Sequence, residues 1–192
     1  MYELPDRVRA WELLCLHTQS ESLRKHALAV EALMGAHARE AGEDADLWER
    51  CGLLHDFDYE RWPDPAEHTV QGGKILEEAG YPPELIRAIH SHNPGNGLGV
   101  PLDTAMARTL FAVDELAGFL VGVALVRPSR SLHDLEPRSV MKKFKDRASC
   151  AAVSREDMTQ GAELLGRTMD VHLAFCISAL RPIADELGLA GH

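Results

Sequence analysis

The spacing of the apolar residues constrains this chain more than any other feature. They recur at three and four positions rather than in alternation, as in Leu23, Val30 and Leu33 on the face of His26 or in Gly72, Ile75, Leu76 and Ala79 on the stripe that His68 begins. That is the repeat of one face of an α-helix, and no segment carries the period-two pattern of a half-buried strand. The chain is therefore expected to be all-α, with helices over about 5–16, 21–40, 44–55, 66–79, 83–91, 103–126, 138–148 and 155–187. The breaks have their own chemistry: Gly42 with Asp44, Pro63 with Pro65, Gly80 to Pro83, the loop Asn93 to Gly97, and the prolines Pro128 and Pro137. At 192 residues one domain over 1–192 is expected, a helical core over about 20–126 followed by a helical extension over about 127–192.

Charge narrows the partners. A formal charge of -10 repels polyphosphate backbones, so general binding of duplex nucleic acid is not expected and an anionic substrate needs a local exception. Cys15, Cys51, Cys150 and Cys176 are far apart, which fits neither a thiolate zinc site nor a disulfide framework. The start MYELPDRVRAW does not read as a secretory signal, and the longest apolar stretch, Leu116 to Val126, is shorter than the roughly 20 residues a membrane helix needs. A cytoplasmic protein without membrane anchoring is the expectation.

The chemistry lies in a few polar residues on apolar helix faces. Asp114 has Leu110, Phe111, Ala117 and Gly118 three and four residues away, and a buried carboxylate needs a cation, a hydrogen-bond network or a raised pKa. His55 and Asp56 follow Cys51-Gly52-Leu53-Leu54 and precede Phe57, so a nitrogen and two carboxylate oxygens emerge together from apolar surroundings. The second such pair, His133–Asp134, sits in a charged loop and reads as coincidence. His26 and His68 lie on inward stripes, and His92 continues the stripe of Leu85 and Ile89. His90 is lateral, a candidate substrate contact or a surface histidine. His37 is eleven residues from His26, three turns or about 16 Å along the axis, and reads as structural. Asp58 is either a loop aspartate or a catalytic group that orients water or protonates a leaving group. Four histidines and two aspartates on inward faces describe a metal site, suited to one or two divalent ions of zinc, iron, manganese, cobalt or nickel.

The pattern H…HD…D formed by His26, His55–Asp56 and Asp114 resembles the HD superfamily of metal-dependent phosphohydrolases. The stretches Leu23-Arg-Lys-His-Ala-Leu28, Gly52-Leu-Leu-His-Asp-Phe-Asp-Tyr59, Ala88-Ile-His-Ser-His92 and Phe111-Ala-Val-Asp-Glu-Leu116 carry the resemblance over roughly residues 20–126. The two extra histidines mark the subgroup that holds two metals, as bacterial HD-type diadenosine-tetraphosphate hydrolases do. The resemblance implies one metal on His26, His55, Asp56 and Asp114, with Asp56 bridging to a second on His68 and His92. Leu125-Val-Arg-Pro-Ser129 and Ser139-Val-Met-Lys-Lys-Phe-Lys-Asp146 look instead like a set of uncharacterised HD hydrolases.

That later stretch is a basic island. Between 127 and 147, seven basic residues against three acidic ones give a local +4, leaving -14 for the rest. Arg138, Lys142 and Lys145 share one helix face, with Met141, Phe144 and Ala148 on another, so the helix can dock by its apolar side or simply present a solvated charged face. Lys142, Lys143 and Lys145 are the candidate phosphate contacts. The expected function is hydrolysis of a small phosphoester or nucleotide by a metal-bound hydroxide. Two alternatives stay open: an HD-type di-iron oxygenase, and a non-catalytic module that senses a nucleotide or binds a partner.

Overall fold

A computed structural model describes residues 4–146 and 153–191. Most of the helices begin where a short polar side chain accepts from a free backbone N–H or a proline removes one. In α1 (Arg7–His17) the Asp6 side chain accepts from Arg9 N, and in α2 (Glu21–Ala41) Ser20 accepts from Leu23 N. Gly42, at φ 72°, closes α2, and Asp44 then accepts from Leu47 N to open α3 (Ala45–Leu54). Next come α4 (Val70–Glu78), α5 (Pro83–His92), which starts on its proline, and α6 (Ala105–Leu125). The remaining helices are α7 (Pro137–Lys145), α8 (Arg155–Leu164), α9 (Met169–Leu180) and α10 (Ala184–Leu187). Among the described residues the one strand-like feature is an isolated antiparallel pairing of Ser131 with Ala190, so the protein is all-α.

Two expectations need correction. The helix expected over 155–187 is broken twice: Gly166 takes φ 66° after α8, Thr168 caps α9, and Pro182 sits in a 3-10 turn before α10. The helix expected from 66 starts only at Val70, because Thr69 takes φ 67° and the residues before it form turns. The far end of the helix expected over 138–148, with Arg147 and Ala148, lies outside the described residues, as does Cys150.

The chain divides into two compact units, residues 1–110 and 111–192. In the first, Ala27, Val30, Leu33 and Met34 of α2 and Cys51, Leu53 and Leu54 of α3 are buried together with Leu76, Leu85 and Ile89. Helices α2 and α3 run close because Gly52 has no side chain: a Cβ there would lie 2.8 Å from Val30 O. The turn that follows α3 is tied down as the Thr18 hydroxyl donates to Phe57 O at 2.9 Å. In the second unit, Phe119, Val140, Met158, Leu173, Ile177 and Leu180 are buried, Phe144 of α7 meets Phe119 edge-on at 6.1 Å, and Leu132 N donates to Leu189 O at 2.8 Å.

Candidate metal centre

Four imidazoles of the first unit converge on one carboxylate. His26 comes from the second turn of α2, His55 from the end of α3, His68 from the turn before α4 and His92 from the last position of α5. Asp56, next to His55, turns its two oxygens to different pairs. Oδ1 lies 3.1 Å from His68 Nε2 and 3.2 Å from His92 Nε2. Oδ2 lies 3.5 Å from His55 Nε2 and 4.0 Å from His26 Nε2. The rings stand edge-on in sequence, His26 to His55 at 5.2 Å, His55 to His92 at 5.3 Å and His92 to His68 at 5.4 Å.

Three of these rings are held from behind. His55 Nδ1 bonds to Gly52 O at 2.7 Å and His92 Nδ1 to Ile89 O at 2.6 Å, each a carbonyl three residues back along its own helix. His68 Nδ1 bonds to Asp58 Oδ1 at 2.8 Å. A ring that donates through Nδ1 leaves Nε2 as the metal-binding lone pair. Electrostatics agree with the geometry. Burial alone would raise the Asp56 pKa, yet the His55 charge and the hydrogen bonds of His55, His68 and His92 hold the carboxyl well below its ordinary 3.8. Burial disfavours charge on His68, but Asp56 and Asp58, by hydrogen bonding and negative charge, lift its pKa to about 9.

The other candidates fall elsewhere. Asp58, expected as a catalytic group or a loop aspartate, is 1% exposed and hydrogen-bonded through both oxygens: Oδ1 faces His68, and Oδ2 accepts from Thr69 N at 2.9 Å and Gly72 N at 2.8 Å. His90 packs its Nε2 against Gly73, where burial lowers its pKa, and it edges a cleft with Val70, Lys74, Ile86, Arg87 and Leu98. Asp114 lies in α6, past the boundary of the first unit. Lys142, Lys143 and Lys145 line the last turn of α7, with Lys142 and Lys145 exposed beside a shallow depression shared with Arg138 and Met141. Met141 is half-buried and borders the same depression, and Val140 is the buried residue of this helix. His133 is exposed. Sequence reasoning missed Gly52 as the close-contact glycine and Asp58 as a partner of His68. An aspartate ten residues before an inward histidine is the one signal, and it is weak.

The donor set fits divalent transition metals, since neutral imidazole nitrogens surround a carboxylate able to bridge. Two donor groups of the first unit meet at Asp56, one with His26 and His55 and one with His68 and His92. The HD domain family model matches residues 23–118, half of the chain. The chain belongs to the HD domain family. That match takes in all six residues expected to bind metal. The chain is similar to proteins named Ribonuclease Y: 31% identical over 140 residues in Nitratidesulfovibrio vulgaris, covering 69% of this chain and 26% of that protein. In Deinococcus radiodurans the identity is 33% over 129 residues, 63% of this chain and 21% of the relative. In Thermus thermophilus it is 34% over 127 residues, 63% and 20%. The chain thus spans only about a fifth to a quarter of the length of these relatives. No solved structure matches it significantly. Among the described residues no helix is long and apolar enough to cross a membrane.

Proposed function

We propose that this chain is a metal-dependent phosphohydrolase with a dinuclear site, acting on a small phosphoester or nucleotide. The observation that carries the reading is the division of labour at Asp56, whose two oxygens each face a different pair of imidazole Nε2 atoms. His26, His55 and Asp56 would hold one metal, with Asp114 as the fourth ligand on the strength of the resemblance and the family match. Asp56, His68 and His92 would hold the other.

Divalent ions held there supply Lewis acidity, which acidifies coordinated water and offsets charge on phosphate oxygens. The protein's own part is positioning. His55 and His92 are locked by their helix carbonyls, Asp56 is kept ionised by its imidazole neighbours, and the Asp56 side chain remains 22% exposed, so the site is open to a ligand. Lys142, Lys143 and Lys145 are the proposed anion contacts, and His90 a proposed contact for the rest of the substrate.

A second reading has one observation behind it. The similar proteins are named Ribonuclease Y and align with up to 69% of this chain, which favours a phosphodiester of RNA. The net charge of -10 weighs against a long polyanion. Protein purified without chelators should contain close to two equivalents of transition metal and should hydrolyse members of a panel of nucleotides, phosphomonoesters and short single-stranded RNA. Cleavage of RNA alone would replace the small-phosphoester reading with the second. A full metal complement without turnover of any phosphoester would turn the reading toward oxidative chemistry or sensing.

A further inference from the structure

We propose that Asp58 is a positioning residue that fixes the tautomer of His68 and thereby decides whether the second metal position can be filled. The inference rests on the reading of His68 as a metal ligand.

His55 and His92 need no outside help to present Nε2, because each sits at the end of a helix and finds a carbonyl three residues back for its Nδ1–H. His68 has no such helix behind it, since α4 begins only at Val70. Its Nδ1 partner is Asp58 Oδ1, ten residues earlier, at 2.8 Å. A neutral imidazole carries one N–H, and an ionised carboxylate can only accept. The pairing therefore keeps a proton on Nδ1, so that Nε2, 3.1 Å from Asp56 Oδ1, is the nitrogen that gives up its proton and offers its lone pair when a metal binds.

Asp58 can impose that choice because it cannot turn. Its second oxygen is held by Thr69 N and Gly72 N, two donors of the first turn of α4, at 2.9 and 2.8 Å. Thr69 occupies the cap position of α4 with φ 67° and makes no side-chain cap bond, so Asp58 caps this helix from outside it. Gly72 makes the approach possible: a Cβ there would stand 2.7 Å from Asp58 Oδ2. One carboxylate thus joins the start of α4 to the ring of His68.

Asp58→Asn separates the two tasks. The amide oxygen can still accept from Thr69 N and Gly72 N, which places the amide NH2 against His68 Nδ1. That ring nitrogen must then accept, the proton moves to Nε2, and the metal-binding lone pair is lost.

The test uses zinc as a diamagnetic probe. Wild type, Asp58→Asn, His68→Ala and the double variant are compared for zinc stoichiometry and affinity, and nitrogen–proton spectra of the histidine side chains are recorded on zinc-loaded wild type. Wild type should take two zinc ions, with His68 protonated at Nδ1. Asp58→Asn should keep its helicity and one tight zinc while binding the second at least about tenfold more weakly, as outer partners of metal-bound histidines usually show. In the His68→Ala background the Asp58 substitution should add nothing, whereas a pure capping role would weaken both backgrounds alike. A second zinc of wild-type affinity in Asp58→Asn, where His68→Ala loses it, overturns the proposal alone. Zinc bound at Nδ1 of His68 in wild type overturns it whether or not the variant folds. Equal zinc content in wild type and His68→Ala overturns the ligand reading and the proposal with it.

Discussion

At the scale of single residues, the two HD pairs make an internal control. His55 is fully buried and Asp56 stands among four imidazoles, whereas His133 is exposed. Replacing His55 or Asp56 by Ala should abolish metal retention, and His133→Ala should leave it intact; equal loss in all three, read by metal analysis, would refute the placement of the site. The ionisable groups of the centre add a pH dependence. His68 is lifted from 6.5 to about 9, so in the metal-free protein its charge contributes stability that is fully present below about 6.5 and is lost as pH rises through about 9. Asp56 is depressed below 3.8, so its contribution is present above that value and is lost as pH falls through the folded pKa. Metal must displace the His68 proton. Manganese binding should therefore release protons and tighten between pH 6.5 and 9, by up to about tenfold per unit for one proton exchanged. Titrations at several pH values with a pH-stat would show it, and an affinity flat across that interval would count against His68 as a ligand.

At the scale of elements, the centre depends on how tightly α3 is laid against α2. Gly52 permits that contact and its carbonyl also receives His55 Nδ1, so one backbone position serves both packing and ligand orientation. In Gly52→Ala the new Cβ meets Val30 O at 2.8 Å and Glu31 N at 2.9 Å, backbone atoms that cannot swing aside. The expected cost is roughly 1–3 kcal/mol of stability by denaturant unfolding, with weaker metal binding because α3 carries His55 with it when it shifts. An unchanged midpoint would mean the helices separate at no cost. This contact marks the limit of what a sequence discloses. The starts of α2, α3 and α5 were legible because Ser20, Asp44 and Pro83 act on their own helices. The start of α4 was not, because its cap is Asp58, remote in sequence, and Thr69 takes a conformation that a β-branched residue rarely adopts. The break at Gly166 was passed over because the apolar spacing runs on through it. His26, His68 and His92 could be picked out by stripe position and His55 by the apolar run that leads to it, since a polar group in apolar surroundings stands out whatever the detailed turns around it. Asp58, lying outside any helix, had no stripe to stand out from.

At the scale of the whole molecule, the charge pattern decides how an anion could reach this protein at all. The net charge is -10, yet residues 127–147 carry +4. Within that island Arg127 is paired with Asp134 at 3.1 Å, while Arg138, Lys142 and Lys145 of α7 are exposed around one depression. These three are exposed charges able to attract a phosphoester against the field of the remaining chain, and none of them is an expected metal ligand. Replacing Lys142 and Lys145 by Glu changes the net charge by four units at one place. The helix should stay folded in the variant, because Val140 and the Phe144 contact with Phe119 are left in place. The apparent KM for a phosphoester substrate should rise several-fold at low salt, with kcat and metal content unchanged, since the loss is one of capture rather than chemistry. Near 1 M salt, where screening acts over about 3 Å, the variant and wild type should converge. A kcat loss with unchanged KM would make α7 part of the catalytic machinery. Unaltered kinetics at low salt would make its lysines a solvated surface and leave substrate capture to the metals themselves.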